Sequence, residues 1–285
     1  MTHVATLIGP RLNTAPLAAL GSRGAPVWLA AGCAVDLDYA AAPDPAALKA
    51  ALGRDDVDIV VQPRAGRRKR LLIADMDSTM IEQECIDELA DVVGLKAHVA
   101  AITDRAMRGE IAFEPALRKR VALLRGLDSA VVSRVIAERI VLTPGGPTLV
   151  ATMRGHGAYC ALVSGGFTLF TAPLARLLGF DEQRANILIV ADGLLTGFVI
   201  EPILGQAAKR ATLVELRGRL GLEAADTLAV GDGANDLAML REAGLGVAFR
   251  AKPAVAQAAN ARIDHSDLTA LLYAQGYRRD EFLTP

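Results

Sequence analysis

The sequence predicts an α/β protein: a doubly wound, Rossmann-like parallel sheet with an inserted helical cap, preceded by a small α+β module of ferredoxin-like order. Three observations carry this prediction. From Leu71 onward, apolar runs that read as buried strands alternate with helical segments, which argues a parallel sheet covered on both faces. Three of those runs end in acidic or small polar residues, at Asp75-Met76-Asp77, Ser164-Gly165-Gly166 and Gly231-Asp232-Gly233-Ala234-Asn235-Asp236. After the first of them, residues 81–140 keep helical spacing and offer no convincing strand, as an inserted subdomain would.

In chain order, Val4–Ile8 reads as a strand and Pro16–Leu20 as a short helix. Val27–Ala31 and Ala34–Tyr39 read as a strand pair, the second alternating Val35, Leu37 and Tyr39 with Asp36 and Asp38. Asp44 stands at an N-cap with Pro45 at the first helical position of Ala46–Leu52, and Val57–Val61 closes a βαββαβ order. The basic run Pro63–Arg70 has no interleaved aromatics or reader motif, so it reads as a solvated linker rather than a nucleic-acid site. The predicted division is therefore 1–66 for the module and 67–285 for the larger domain, with the cap at about 81–145.

Within the larger domain, Leu71–Ala74 is the first strand. Ile86, Leu89, Ala90 and Val93, then Leu117, Val121 and Leu124, follow helical periodicity. Tyr159–Val163 is a strand, Thr168–Leu178 a helix, and Ile187–Ile200 a hairpin turned at Asp192-Gly193. A helix at Ala207–Leu220, a strand at Leu228–Val230, a helix at Asp236–Ala243 and a last strand at Gly246–Phe249 complete the expectation.

A length of 285 residues suits one large domain plus a small one, and 31 Lys+Arg against 32 Asp+Glu leave a net charge of −1. No global field draws such a chain to nucleic acid or an anionic membrane. Cys33, Cys85 and Cys160 are odd in number and widely spaced, which excludes a disulfide framework and points to a reducing, cytoplasmic setting. The N-terminus carries no signal-peptide pattern, and the charge-free stretch 155–175 is broken by His156, Gly157, Ser164-Gly165-Gly166 and Pro173, against a membrane span.

Ligands of open α/β sheets gather beyond the carboxyl ends of the strands, so the three acidic or polar strand ends meet at one edge. Carboxylates crowded there need a cation, and oxygen-only donors select magnesium, which favours phosphate chemistry. Ser164 with the amides of Gly165 and Gly166 makes an anion cradle. Lys209 lies on the stripe of Leu213, Leu216 and Leu220, and a core-facing lysine needs a partner. Arg120 lies likewise on the stripe of Leu117, Val121 and Leu124, where it either forms a structural ion pair or holds a substrate carboxylate. Cys85 reads as a small hydrophobe on the cap, and the four histidines as structural or exposed.

Asp75-Met76-Asp77-Ser78-Thr79 matches the DxDx[ST] first motif of the haloacid dehalogenase superfamily, and Ser164, Lys209 and Gly231–Asp236 fit its remaining motifs in order. From about Leu71 to Leu271 the chain resembles the phosphoserine-hydrolysing branch of that superfamily, most closely at Asp75–Glu84, Phe113–Arg120, Val163–Phe167 and Val230–Asp236. The resemblance implies magnesium-dependent hydrolysis of O-phospho-L-serine, the last step of serine biosynthesis, through an aspartyl-phosphate on Asp75 with Asp77 as acid and then base. It implies metal ligation by Asp75, the backbone carbonyl of Asp77, and Asp232, with Asp236 bracing them. It implies phosphate contacts from Ser164, Gly165 and Lys209, substrate or water contact from Asn235, and recognition of the serine moiety by Glu84 and Arg120 beside Met107 and Phe113. Another small amino-alcohol phosphate, such as phosphohomoserine, is the alternative substrate. The N-terminal order resembles an ACT-like domain, which implies amino-acid binding or a homodimer contact. No nucleic-acid or membrane partner is expected.

Overall fold

The computed structural model describes residues 2–284, apart from Gly109 and the side chain of Met107. Strands His3–Ile8, Arg23–Ala30, Ala34–Tyr39 and Asp58–Pro63 form an antiparallel sheet in which the first strand lies between the third and the fourth. Helix Pro45–Leu52 starts where expected, because the Asp44 carboxylate accepts from Ala46 N at 3.0 Å and Pro45 presets the first turn. Ala5, Leu7, Val35 and Leu37 pack under Leu17, Leu48 and Leu52.

The opposite face of this sheet carries Asp36 and Asp38, which alternation alone would leave in solvent. Instead it is buried: Ile8, Ala34 and Val60 join the same core as Tyr273 and Tyr277, and Asp36 is only 2% exposed. The basic run explains how Asp36 and Asp38 are tolerated there. Arg67 pairs with Asp36 and Arg64 with Asp38, while Arg68 pairs with Glu281 and lies over the Tyr277 ring. Lys69 is buried and donates to Gly66 O and Ala225 O. The linker is thus exposed along most of its length, as expected, and its arginines also neutralise the sheet, which charge counting within one segment cannot show. Asp58 adds a pin, its carboxylate accepting from the backbone N–H groups of Asp264, His265 and Ser266 at 2.8–3.3 Å. Asp58, Asp264 and His265 also stand close enough to hold a metal, but the Asp58 oxygens are already committed to those amides.

The main sheet is wholly parallel, in the spatial order Ala261–Ile263, Leu245–Phe249, Thr227–Gly231, Leu71–Ala74, Tyr159–Phe167, Glu182–Asn186. Ala74 is in register with both Val230 and Leu162, so Leu71–Ala74 and Thr227–Gly231 end nearly level while Tyr159–Phe167 runs on past them. Alternate residues serve opposite faces: Leu71, Ile73, Ala161, Val163 and Ala229 pack with Leu213 and Leu216 of helix Gln206–Arg219. Leu72, Ala74, Cys160 and Leu162 pack with Leu149, Phe170 and Leu174, from helices Gly146–Gly155 and Thr168–Leu178. Gly246–Phe249 is not the last strand, because Ala261–Ile263 adds a three-residue edge with Arg262 at its centre. Glu182–Asn186 forms the other edge despite its polar sequence, and helix Gly146–Gly155 also lacked a sequence signal.

Helices Cys85–Val92, Lys96–Met107, Phe113–Ala122 and Val131–Arg139 form the cap over the strand ends. The hairpin Leu188–Ala191/Leu194–Val199 turns at Asp192 and Gly193, both at positive φ, and Leu195 exchanges backbone bonds with the Gly126–Leu127 segment at 2.8 Å. Among the described residues no helix is long and apolar enough to cross a membrane.

Candidate active site

Asp75 closes the strand Leu71–Ala74, where the chain leaves the sheet, and its Oδ1 accepts from Met76 N at 2.8 Å. Lys209 Nζ stands 2.6 Å from the same Oδ1 and 2.6 Å from Asp236 Oδ1. Both bonds fall on Oδ1, leaving Oδ2 free of protein donors among the described residues. Lys209 is completely buried, as its place on the Leu213–Leu216 stripe requires. Burial opposes its charge, but Asp236 and Asp75 more than offset this and hold its pKa above the ordinary lysine value. Asp236 is fixed from its other oxygen, which accepts from Gly233 N at 3.0 Å, and Gly231 must be glycine because a methyl would collide with the Asp236 carboxyl at 2.4 Å.

Asp75, Asp232 and Asp236 are all buried and present oxygens within 4.8 Å of one another. Burial and then Asp236 raise Asp75 well above the usual carboxylate range, and the same causes raise Asp232 to about 7. Thr79 Oγ1 donates to Asp232 at 3.0 Å and settles its orientation. Three buried carboxylates set against one lysine make an all-oxygen donor set that fits a hard divalent cation.

The Asp77 side chain points elsewhere. The chain is extended at Asp77 and left-handed at Ser78 (φ 56°), which turns the Asp77 carboxyl toward the cap, where Oδ1 accepts from Cys85 N at 3.0 Å. Oδ2 approaches Gly166 so closely that a methyl there would stand 2.8 Å from it. Burial raises the Asp77 pKa, which favours the protonated acid. Ser164 is buried, and its Oγ accepts from Gly166 N at 2.8 Å, so its own proton remains available to an anion. Asn186 fixes the neighbouring turn by donating to Gly165 O at 2.8 Å; it lay in the unrecognised edge strand and gave no sequence signal.

A cavity of about 410 Å³ lies between these groups and the cap. Asp75, Asp77, Gly165, Gly166 and Asn235 line it from the sheet, and Glu84, Phe113 and Arg120 from the cap. Asn235 Oδ1 is buried without a partner and so has an acceptor to offer a ligand. Glu84 accepts from Ser78 Oγ at 2.7 Å and forms no ion pair among the described residues, and burial followed by Asp77 pushes its pKa well up. Arg120 is 5% exposed; its Nε donates to Ala116 O at 3.2 Å and its NH1 to Thr103 Oγ1 at 2.9 Å. Among the described residues it forms no ion pair, and burial lowers its pKa. Thr103, which the sequence reading missed, lines the same cavity. Met107 ends the helix Lys96–Met107, and its side chain lies outside the described residues. Cys85 is buried beside Asp77, and burial pushes its thiol well above the ordinary value, as suits a packing residue.

Carboxylates and a lysine at the end of a parallel sheet, closed by a helical cap, define an enzyme that handles phosphate or a comparable leaving group through an aspartate. The sequence model for haloacid dehalogenase-like hydrolases matches residues 72–241, and the chain belongs to that family. Its similarity narrows further within the family. The phosphoserine phosphatase of Albidiferax ferrireducens is 48% identical over 208 residues, spanning 71% of this chain and 88% of that protein. The phosphoserine phosphatase of Mycobacterium tuberculosis is 43% identical over 237 residues; the match takes in 82% of this chain but only 58% of that longer protein. A solved structure described as a phospho-aspartyl intermediate analogue of phosphoserine phosphatase superposes with a TM-score of 0.69 at 41% identity, covering 72% of this chain and 98% of that one.

Proposed function

We propose that this chain hydrolyses O-phospho-L-serine to L-serine and inorganic phosphate, the step that completes serine biosynthesis. The observation that carries the reading is the pair Glu84 and Arg120. They line one cavity with Asp75, and among the described residues neither is in direct ion-pair contact with a group of opposite charge. Isolated buried charges are costly. A substrate that brings an ammonium for Glu84 and a carboxylate for Arg120 removes that cost on binding.

The chemistry follows from the positions of the side chains. Asp75 Oδ2 attacks phosphorus as the bond to the serine oxygen breaks, while Lys209, Ser164 and the Gly165 backbone hold the phosphate oxygens. Asp77, protonated at the outset, gives its proton to the departing serine oxygen. The resulting carboxylate takes a proton from the water that attacks the aspartyl-phosphate, and Asp75 is released with free phosphate. Magnesium fits the oxygen donors, held by Asp75, Asp232 and the Asp77 carbonyl with Asp236 behind them. When bound, it neutralises charge on the carboxylates and the phosphoryl oxygens.

Residues 1–66 are read as an ACT-like module, serving either amino-acid binding or a homodimer contact, and 67–285 as the catalytic domain of a cytoplasmic enzyme. The free cysteines and the antiparallel sheet support this reading. The deciding experiment is phosphate release from O-phospho-L-serine, O-phosphohomoserine, O-phosphothreonine and phosphoethanolamine, with and without magnesium. O-phosphoserine is expected to give the largest kcat/KM; a larger value for phosphohomoserine overturns the assignment.

A further inference from the structure

Arg120 is held in place without being neutralised, and the group that achieves this is a hydroxyl. Thr103 is 5% exposed in helix Lys96–Met107, and its Oγ1 accepts from Arg120 NH1 at 2.9 Å. The same Oγ1 stands 2.9 Å from Asp87 Oδ1, in the first turn of helix Cys85–Val92, and 3.1 Å from Val99 O. Because the guanidinium can only donate, the threonine proton is directed away from Arg120, toward Asp87. One hydroxyl therefore stands between a buried cation and the Asp87 carboxylate. Direct contact between Arg120 and Asp87 would satisfy the guanidinium, and an incoming carboxylate would then have to displace the resident one. With Thr103 between them, Asp87 orients Arg120 while the remaining guanidinium donors and the charge stay free for a ligand.

We propose that Thr103, backed by Asp87, is a positioning residue that aims Arg120 at the substrate carboxylate and sets the preference for an amino-acid phosphate over the same phosphate without a carboxylate. The proposal rests on the reading of the site as one for O-phosphoserine. The rival, purely structural role is the bond from Thr103 to Val99 O, an ordinary back-bond within a helix.

The test compares kcat/KM for O-phospho-L-serine and phosphoethanolamine, which differ by the carboxylate. Thr103→Val keeps the side-chain shape and removes the hydroxyl. It is expected to lower the ratio of the two specificity constants roughly tenfold, through KM for phosphoserine more than through kcat, as loss of a hydrogen bond to a charged group implies. Thr103→Ser is expected to restore most of the ratio. Asp87→Ala, which does not touch the cavity and serves where the valine variant fails to fold, lowers the same ratio. The double variant costs no more than the larger single change. Equal losses on both substrates, or additive losses in the double variant, overturn the proposal and leave the parent reading intact. An unaltered enzyme that hydrolyses phosphoethanolamine as well as phosphoserine overturns both.

Discussion

Phe113 and Gly165 meet where the cap rests on the sheet: a methyl group on the glycine would lie 2.8 Å from Phe113 Cζ. Phe113 opens the helix Phe113–Ala122, and Gly165 lies near the end of the strand Tyr159–Phe167. The cap reaches its position because residue 165 has no side chain. Gly165→Ala is expected to displace the ring and lower kcat/KM by about tenfold or more, the scale on which small misplacements act. Adding Phe113→Ala should cost little further, since both changes break one contact. Steady-state kinetics of the two variants check this.

Lys209 is the counter-charge to both Asp75 and Asp236 inside the protein. Lys209→Met keeps the stem but leaves two buried carboxylates facing each other. The expected cost is about 3–5 kcal/mol of stability, read from urea unfolding, together with loss of phosphatase activity.

Magnesium should act on stability as well as on turnover. With the ion at a hundredfold its Kd, linkage gives about 2.7 kcal/mol of extra stability, visible as a rise in Tm. Chelation is expected to abolish activity, and readdition to restore it. Asp232→Asn should remove most of the magnesium-dependent rise; an undiminished rise would place the ion elsewhere.

Asp58 holds the N-terminal sheet to the loop after strand Ala261–Ile263 through the amides of Asp264, His265 and Ser266. Asp58→Ala leaves those N–H groups without their acceptor at a part-buried junction, at an expected cost of about 1–3 kcal/mol. Faster tryptic cleavage within Arg64–Arg70 is the second readout, because those basic side chains lose the docked surface that now engages them.

Glu182 provides an acid-sensitive contact at the sheet edge. Burial raises its pKa, but bonds from Arg219, Arg184 and Tyr159 outweigh burial and hold it below the ordinary glutamate value. A lowered folded-state pKa gives stability that is present above the unfolded value, ~4.3, and lost as pH falls through the folded one. Glu182→Gln should flatten the stability curve below about pH 4.3 and leave its slope at pH 8 unchanged. Denaturation midpoints across that range check the sign.

Much of the site was legible because its residues break local rules. A lysine on an apolar stripe, an arginine on another and strands ending in aspartate all stand out against the pattern of a packed α/β core. Lys209, Arg120 and Asp75 were found that way. Thr103 and Asn186 break no rule: a threonine in a helix and an asparagine in a polar segment look like ordinary surface residues, and only tertiary packing gives them partners. The same holds for whole elements. Glu182–Asn186 lacks apolar alternation because it lies at an edge, and Ala261–Ile263 is too short to show any. Asp36 and Asp38 find their countercharges, Arg67 and Arg64, in a segment some thirty residues away, which local alternation cannot show.

Asp77 is tied to the sheet by the chain and to the cap by the amide of Cys85. That bond makes it an interlock. One backbone N–H thus sets two things at once: the direction of the Asp77 carboxyl and the seating of helix Cys85–Val92 on the strand ends.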